Sequence, residues 1–466
     1  MDGSNLVDLL GRWATGRGPL YLLLTARLRA LIDDGVLPPG GTLPPDRQLA
    51  RRLAVGRGTV VAAYDLLQQE GRVVRRQGSG TRVAPAQLPA VRSADGVIAN
   101  PLLQHILHPP DNVQLLTCAA PDVPPPELAA AYQEALTLLP ARDLGYQPAG
   151  QLLLRQAVAA YYTGRGLPTT PDEIIVTTGA QQALTLLSGL LLTPGATVRT
   201  DSPTYPGALE VFRQAAAVVT TAPRERPALV YAIPTASNPG GAIMSNADRR
   251  RLTAYAVAND VPLIDDEVCA ELVFSGETPP PLAAFAAGRA EHVITIASLS
   301  KVVWGGLRVG WIRAAAPLVS RLARLRAIQD LGGEVLGQLA AAVLLRRIEP
   351  VRRARVAMLA ERHDHLAAEL RAKLPTWTFD RAEGGQTIWV RLPHGDADAF
   401  SQVALRHGVA IPPGRAFDPH GGHADHLRLH FLFPPAELTR AVDALAAAWA
   451  AYDGTPHPAS RHTLIV

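Results

Sequence analysis

Lysine usage is the first feature of this chain that needs a chemical explanation. Of its 45 basic residues, 43 are arginine and two, Lys301 and Lys373, are lysine. Arginine serves solubility as well as lysine does, but only lysine loses its proton readily enough to attack a carbonyl carbon. Lys301 ends the string SLSK, directly after an apolar run. Lys301 is therefore a candidate nucleophilic amine, although a single lysine is more often an ordinary surface residue.

Polar strings follow a series of short apolar runs in the second part of the chain. From about Asn112 onward these runs alternate with helical stretches, which predicts a mostly parallel sheet covered by helices. The predicted strands are residues 174–177, 197–200, 229–233, 261–265 and 293–297. In such sheets, ligands bind outside the carboxyl ends of the strands. The strings found there are TGAQ (178–181), SPTYP (202–206), NPGG (238–241), DE (266–267) and SLSK (298–301).

Together these strings contain the groups that pyridoxal 5'-phosphate (PLP) requires. Lys301 offers the amine that forms a Schiff base with its aldehyde, and Asp266 offers the carboxylate that keeps its pyridine nitrogen protonated. Tyr205 can stack on the ring, and the Asn238 amide can donate to the phenolic oxygen. The phosphate requires donors at a helix start together with hydroxyl and guanidinium groups. The residues that can supply them are Gly179, Ala180, Gln181, Ser298 and Arg308.

Each of these residues also has an ordinary structural explanation. Taken singly, Tyr205 is more often a core aromatic residue. The neighbouring Asp265 leaves the choice of the carboxylate beside the pyridine nitrogen open by one position. What favours the cofactor site is that five such strings occur in order, each at the end of a predicted strand.

The basic excess of the chain lies in its first fifth. Residues 1–85 hold 12 arginines and seven acidic residues, a net charge of +5, whereas the remaining residues carry a net charge of −1. A basic segment of this kind is typical of a surface that binds nucleic acid. The alternative is a solvated basic face on a small helical domain.

This basic segment has the pattern of a winged helix-turn-helix. Apolar spacing predicts helices over residues 20–32, 48–53 and 57–69, the second of them capped by Asp46. Two short helices joined by a tight glycine-containing turn form a helix-turn-helix. The alternating strings 73–76 and 81–83 flank the turn QGSG and predict a basic hairpin, the wing.

Residues 19–83 resemble the DNA-binding domain of the GntR transcription regulators. The resemblance rests on the stretches PLYLLLTARLRALIDDGVLPPGGTLPPDRQLARRL, VGRGTVVAAYDLLQQEG and RRQGSGTRV. It implies double-stranded operator DNA as a partner. The residues that match its DNA-contacting positions are Arg47, Arg57, Thr59 and Gly78. Gly56 and Gly58 stand where the family usually has side chains that contact DNA, so we expect base readout to be sparse.

The rest of the chain resembles the fold type I aminotransferases through the strings SLSKVVWGGLRVGWI, DSPTYPG and NPGG. With the first domain, it resembles the MocR-like branch of the GntR regulators. The resemblance implies an α/β fold, in which a small winged helix-turn-helix domain precedes a PLP-dependent transferase domain, and it implies a homodimer. It gives Lys301 and Arg308 the roles of cofactor lysine and phosphate arginine. It gives Arg428 the role of binding the carboxylate of an effector.

One position departs from the aminotransferase pattern. Residues 266–274 align with the family's Asp-Glu-Ile-Tyr pattern, which puts Cys269 where a tyrosine hydroxyl normally bonds the cofactor. A thiol is a weaker and shorter-reaching donor than a phenol. We therefore expect PLP to bind and rapid transamination to be impaired. This favours a regulator that senses PLP or its adduct with a small amino compound. The alternative is an active aminotransferase.

Composition sets the remaining expectations. Hydrophobic residues make up 48% and charged residues 18% of the chain, a globular balance that excludes wholesale disorder or a coiled coil. The only two cysteines, Cys118 and Cys269, suit a reducing compartment, and no apolar run is long enough to span a membrane, so we expect a cytoplasmic protein. The C-terminal histidines follow no metal-binding pattern. The predicted domains are residues 1–84 and 112–466, joined by a proline-rich linker over residues 85–111.

Overall fold

The computed structural model describes most of the chain in two compact units, residues 1–98 and residues 99–466. The described residues are 3–11, 13–14, 19–33, 36–38, 40–70, 72–76, 80–84, 113–117, 123–141, 143–222, 226–286 and 288–452. The predicted linker (85–111) lies outside them, as does the tail (453–466). The domain boundaries therefore stay predictions.

The N-terminal unit is a winged helix-turn-helix. Its elements are α1 (Gly3–Leu10), α2 (Leu20–Asp33), β1 (Thr42–Leu43), α3 (Asp46–Arg52), α4 (Arg57–Gln69), β2 (Val73–Arg76) and β3 (Gly80–Val83). The strands form an antiparallel sheet in the order β1-β3-β2. Apolar side chains from all four helices and all three strands form its core, among them Leu6, Leu24, Leu28, Leu43, Leu49, Val60, Leu67, Val73 and Val83. The predicted third helix and the first wing strand are confirmed residue for residue.

Two details of this unit differ from the prediction. Helix α3 begins at Asp46 itself, with Pro45 at the N-cap, so the prediction that Asp46 caps the helix is wrong. The Asp46 carboxylate accepts instead from Nε of Arg57 at 2.7 Å. Helix α1 was not expected, and Arg27 anchors it by donating to the carbonyl of Leu9 at 2.9 Å.

The C-terminal unit alternates helices and strands. Its helices are α5 (Pro126–Thr137), α6 (Leu152–Gly164), α7 (Ala180–Leu191), α8 (Pro206–Gln214), α9 (Asn246–Ala258), α10 (Ala316–Gln329), α11 (Val335–Arg346), α12 (Ile348–Lys373), α13 (Ala397–Arg406) and α14 (Pro435–Ala451). Its strands are β4 (Gln114–Leu115), β5 (Ile174–Thr177), β6 (Thr197–Thr200), β7 (Val218–Thr220), β8 (Leu229–Ala232), β9 (Leu263–Asp266), β10 (Val293–Ser298), β11 (Gly310–Arg313), β12 (Thr378–Phe379), β13 (Thr387–Arg391), β14 (Val409–Ala410) and β15 (His426–His430).

Seven of these strands form one mostly parallel sheet in the order β5-β11-β10-β9-β8-β6-β7. Strand β11 is antiparallel to both neighbours, and the other pairs are parallel. The predicted strands β5, β6, β8, β9 and β10 therefore end at the same edge, which confirms the predicted fold class. All six residues of β10 are buried because apolar clusters cover both faces of the sheet.

Two smaller sheets complete the unit. Strands β12, β13 and β15 form an antiparallel sheet, and β4 pairs in parallel with β14. Through this second pairing, the first described residues of the C-terminal unit lie against a strand near its end.

Candidate functional site

Two adjacent carboxylates end strand β9, and they point to opposite faces of the sheet because side chains alternate along a strand. The Asp266 carboxylate accepts from the Tyr231 hydroxyl at 2.6 Å and from the Val268 N–H at 3.1 Å. The Asp265 carboxylate accepts from the Leu282 N–H at 2.8 Å. Burial raises the pKa of both carboxyl groups, that of Asp266 to about 6.

Lys301 lies in the turn after β10, close enough to interact electrostatically with Asp266 and Cys269. Burial raises the pKa of the Cys269 thiol to about 11, and the Lys301 ammonium opposes this rise. Cys269 is therefore a neutral thiol at pH 7. Asp266 is thus the carboxylate that shares its surroundings with the lysine. The charged groups that act on Asp265 include Glu267, Arg249 and Arg165.

The predicted phosphate site lies at the start of helix α7. Gly179 precedes this helix with a φ of +124°, where a side chain would be strained. A Cβ at Gly179 would lie 3.4 Å from Nη2 of Arg308, so glycine lets this guanidinium approach the helix N-terminus. Ser298 is buried and pairs across β11 with the last residue of β5, and its hydroxyl contacts that of Ser300 at 2.6 Å. Backbone N–H groups, a guanidinium and a hydroxyl therefore meet at one helix start, as in many anion sites.

Tyr205 and Gln181 connect this helix start with the next helix. The Tyr205 hydroxyl donates to Oε1 of Gln181 at 3.2 Å, and Nε2 of Gln181 donates to the Gly207 carbonyl at 3.0 Å. Ala180 is the first residue of α7. The predicted stacking residue thus lies beside the predicted phosphate site.

Arg428 and Asn238 are in contact. Arg428 is buried in β15, its Nη1 donates to Oδ1 of Asn238 at 3.3 Å, and its guanidinium lies 4.9 Å above the Phe417 ring. A second donor, Nη2, bonds the Thr117 carbonyl. Because the Asn238 oxygen accepts from Arg428, Asn238 offers its amide nitrogen as the donor that the prediction requires.

Two buried arginines, absent from the predictions, hold loops of this site. Arg249 in α9 donates to the carbonyls of Met244 at 3.0 Å and Pro234 at 2.7 Å and to the Thr235 hydroxyl at 2.7 Å. These contacts fix the loop that carries Asn238.

Arg326 in α10 is equally buried and donates to the Val176 carbonyl and to the Asp330 carboxylate. Asp330 accepts from Gln182, whose Oε1 accepts from the Thr178 N–H at 2.8 Å, so this network supports the turn before α7. The hydropathy pattern of the sequence does not predict that either arginine is buried. Each is a charged residue at a position of the buried helix face where an apolar residue is expected. The buried stripe of α10 is Val319, Leu322 and Arg326, and that of α9 is Arg249, Thr253 and Ala256.

The residues present fit PLP. A buried carboxylate and an anion site at a helix start lie at the same sheet edge as the lysine and the aromatic ring, and each suits a different part of the cofactor. When bound, PLP supplies an aldehyde that reacts with amines and a pyridinium ring that withdraws electrons. Lys301 would hold the aldehyde, Asp266 the pyridine nitrogen, and Arg308 with the α7 start the phosphate. These individual assignments stay predictions.

Three of the four predicted DNA-binding residues lie on the helix-turn-helix. Arg47 is exposed in α3, and Arg57 and Thr59 lie in the first turn of α4. The Arg57 side chain is 55% exposed and pairs with Asp46, whose carboxyl pKa its guanidinium holds below the usual range. Gly78 lies outside the described residues.

Arg75 lies in the first strand of the wing. Its guanidinium forms an ion pair with Asp65 and lies 5.4 Å from the centre of the Tyr64 ring. Both partners belong to α4. Arg75 therefore ties the wing to the predicted recognition helix.

Family comparisons match both units. The model for bacterial regulatory proteins of the gntR family matches residues 20–83, and that for aminotransferase class I and II matches residues 115–445. PdxR of Corynebacterium glutamicum, an HTH-type pyridoxine biosynthesis transcriptional regulator, is 31% identical over 355 residues, which cover 71% of this chain and 75% of PdxR. The chain belongs to the MocR-like branch of the GntR transcription regulators.

Further relatives agree with this membership. YisV of Bacillus subtilis (strain 168), an uncharacterised HTH-type transcriptional regulator, is 28% identical to this regulator over 471 residues, covering 91% of this chain and 95% of YisV. LysN, an α-aminoadipate aminotransferase of Thermus thermophilus, superposes with a TM-score of 0.68 and 27% identity, covering 75% of this chain and 94% of LysN. Membership implies DNA as a partner and PLP as a cofactor of the regulator.

Metal clusters and membrane spans are both absent from the described residues. These residues contain no group of three or more histidine, cysteine, aspartate or glutamate side chains arranged to hold a metal ion. Within the same ranges, no helix is long and apolar enough to cross a membrane.

Proposed function

We propose that this protein regulates transcription by binding operator DNA through its N-terminal unit and sensing PLP, or an adduct of PLP with a small amino compound, through its C-terminal unit. The observation that carries the proposal is that one chain combines an exposed basic helix-turn-helix with a set of residues around Lys301 that fits PLP. Binding to operator DNA requires that the protein and the DNA share a compartment, which agrees with the predicted cytoplasmic location.

Cys269 favours sensing over turnover. Its thiol is neutral and a weak donor, so it stabilises the ionised phenolic oxygen of PLP less well than a tyrosine hydroxyl does. A site that binds PLP firmly and transaminates slowly keeps its ligand bound. The occupancy of the site then reflects the concentration of that ligand.

Arg428 provides a route from the effector to the linker. Its guanidinium donates to the Thr117 carbonyl, and His430 two residues later contacts the Leu115 carbonyl at 2.9 Å. An effector carboxylate that binds Arg428 competes with the Thr117 carbonyl and with Asn238 for the same N–H groups. Ligand binding at this arginine therefore loosens the hold on residues 114–117.

Residues 114–117 begin three positions after the end of the predicted linker. Their other contacts include the pairing of β4 with β14, a hydrogen bond from Gln114 to the Glu437 carbonyl at 3.2 Å, and the burial of Leu116 in the apolar core. A ligand that prefers one arrangement of this segment about fiftyfold supplies about 2 kcal/mol of coupling, within the usual range for allosteric proteins. That is enough to change the affinity of the N-terminal unit for DNA.

Exposed apolar side chains support the predicted homodimer. Leu144 is 87% exposed, Ile328 86% and Tyr146 65%. Such side chains mark a protein interface where they form one patch, and the segments that follow Ile328 and Tyr146 are in contact, since a Cβ at Gly332 would lie 2.4 Å from the Gln147 carbonyl. A dimer would carry two DNA-binding units and favour paired half-sites.

The second candidate function is that of an aminotransferase. It is favoured by the match to the aminotransferase family over residues 115–445 and by the retention of Lys301, Asp266 and Arg308. Under this alternative the protein converts an amino donor and a keto acid, and its DNA affinity does not respond to either.

The two functions are separated by one pair of assays on the full-length protein. We expect it to bind a duplex from the region upstream of its own coding sequence, with an affinity that falls steeply as salt rises. Adding PLP with amino compounds should change that affinity, while turnover stays slow. Rapid turnover with a DNA affinity that ignores every ligand would contradict the regulator and support the enzyme.

A further inference from the structure

Tyr231 contacts the carboxylate that the proposed function assigns to the pyridine nitrogen. It lies in β8, next to β9, and its hydroxyl donates to Oδ2 of Asp266 at 2.6 Å. Oδ1 of the same carboxylate accepts from the Val268 N–H at 3.1 Å. Both side chains are buried, so this hydrogen bond from a phenol to a carboxylate is shielded from water.

A buried tyrosine needs a partner for its hydroxyl, and any backbone carbonyl would serve. The ring of Tyr231 packs edge-on against Phe212, with ring centres 5.7 Å apart, in the apolar cluster on one face of the sheet. The Tyr231 hydroxyl nevertheless bonds Asp266, a carboxylate that is close enough to Lys301 to interact with it electrostatically. This placement gives the hydroxyl an effect on the chemistry of the site as well as on packing.

We infer that Tyr231 is a positioning residue that holds Asp266 in place and weakens its basicity, so that the proton between Asp266 and bound PLP stays on the pyridine nitrogen. This inference rests on the proposed function, because it presumes that PLP binds with its pyridine nitrogen beside Asp266.

The groups that face Asp266 explain why the hydroxyl matters. Burial raises the pKa of the carboxyl group, and the hydrogen bond from Tyr231 is the largest effect that lowers it. Glu267 on the same strand end raises it and the Lys301 ammonium lowers it, while the Cys269 thiol beside them is neutral. Without the Tyr231 hydroxyl, less opposes the rise in the Asp266 pKa that burial causes, so the carboxylate becomes a stronger base. The proton then moves onto the carboxylate, and a charge-assisted hydrogen bond becomes a weaker neutral one.

The test compares Tyr231→Phe with Tyr452→Phe in the full-length protein. Tyr452 is also buried, but its hydroxyl bonds the backbone of Asp396, where it accepts from the N–H at 2.8 Å. We expect Tyr231→Phe to weaken PLP binding about tenfold, as for the loss of a hydrogen bond to a charged group. Tyr452→Phe should bind PLP as the wild type does.

The pH dependence of PLP affinity distinguishes positioning from packing. In the wild type, affinity should fall as the pH drops through about 6, where Asp266 takes up a proton. In Tyr231→Phe this fall should occur at higher pH. In the Asp266→Asn background, Tyr231→Phe should have no further effect, because the group it acts on is gone.

If Tyr231→Phe does not fold, incorporation of 3-fluorotyrosine at position 231 tests the same hydrogen bond without removing the hydroxyl. Its phenol is more acidic and a stronger donor, so the fall in affinity should move to lower pH. An unchanged pH profile in both substituted proteins would overturn the inference, provided that the wild type binds PLP. A wild type that binds no PLP would instead overturn the proposed function.

Discussion

The N-terminal unit exposes the arginines predicted to contact DNA, whereas the C-terminal unit buries the arginines that organise its candidate cofactor site. Arg57 is 55% exposed and pairs with a carboxylate on the neighbouring helix. Arg249 and Arg326 are fully buried, and Arg428 is nearly so. Each of the three donates to a backbone carbonyl, of Pro234, Val176 and Thr117 respectively. One residue type therefore serves two purposes in this lysine-poor chain.

The difference in burial follows from the cost of removing a charge from water. A buried guanidinium persists only where acceptors surround it, so its planar fork fixes the loops that provide them. An exposed guanidinium keeps its charge available to a polyanion such as DNA. Burial thus separates the arginines that hold the fold from those predicted to bind a partner.

The largest expected effect extends this comparison to the two lysines. Lys301→Arg should abolish covalent attachment of PLP, because a guanidinium does not lose its proton to attack the aldehyde. The matched control is Lys373→Arg, since Lys373 lies in α12 and pairs with Glu369 at 2.7 Å. Borohydride reduction of the PLP-loaded protein, followed by peptide mapping, should mark Lys301 alone. Labelling that survives Lys301→Arg would remove the candidate nucleophile.

The second prediction tests the buried arginines. Arg249→Met should lower the free energy of unfolding by about 3 kcal/mol, because it leaves several buried acceptors in the Asn238 loop without a donor. Arg251→Met, two residues along the same helix, removes a guanidinium that is 74% exposed and should change stability by less than about 0.5 kcal/mol. Denaturant unfolding followed by fluorescence gives both values. Equal losses in the two variants would break the distinction between buried and exposed arginines.

The third prediction tests the exposed arginines. Arg57→Ala should weaken DNA binding about tenfold and reduce the slope of log affinity against log salt by about one, because one phosphate contact is lost. Arg213→Ala is the control, since Arg213 is also 55% exposed and also pairs with a carboxylate, but lies in the C-terminal unit. Fluorescence anisotropy over a salt series measures both quantities. A similar loss of DNA affinity in Arg213→Ala would show that the effect comes from the change in net charge and not from a contact of Arg57 with DNA.

The smallest expected effect concerns Cys269. Cys269→Tyr restores the hydroxyl donor of the aminotransferase pattern and should raise the rate of amino-group transfer severalfold while leaving DNA affinity without ligand unchanged. It should also move the pH titration of the visible absorbance of bound PLP to lower pH, because a phenol stabilises the ionised cofactor oxygen better than a thiol. Cys269→Ser, which supplies a hydroxyl of shorter reach, is the control. An unmoved titration in Cys269→Tyr would show that the thiol is not the cause of slow turnover.

The sequence predicted most of the fold because its signals are local. The run at residues 174–177 became β5 and the spacing over 57–69 became α4, since both have strong patterns bounded by glycine or polar residues. Helix α1 was missed because it is held by contacts with residues distant in sequence, the burial of Leu6 and Leu10 in the core and the hydrogen bond from Arg27. Helix α3 began two residues earlier than predicted because Asp46 forms its first turn.

The candidate site was predictable in its residues but only in part in its geometry. Period-two alternation implies that Asp265 and Asp266 face opposite ways, yet the local sequence does not tell which face holds Lys301. The contact between Arg428 and Thr117 joins residues 311 positions apart, and no periodicity reports such a pair. Arg249 stands where the helical pattern calls for an apolar side chain, so its role emerges only from the loop it holds.

The coupling between the two units is tested most directly by measuring PLP affinity with and without DNA. Allosteric coupling is reciprocal, so if PLP with its amino compound changes the affinity for operator DNA, saturating DNA must change the affinity for that ligand by the same factor. We expect equal factors in the two directions for the wild type, and factors of one for Lys301→Arg. A wild-type protein that binds DNA and PLP, each with an affinity unaffected by the other, would contradict the account.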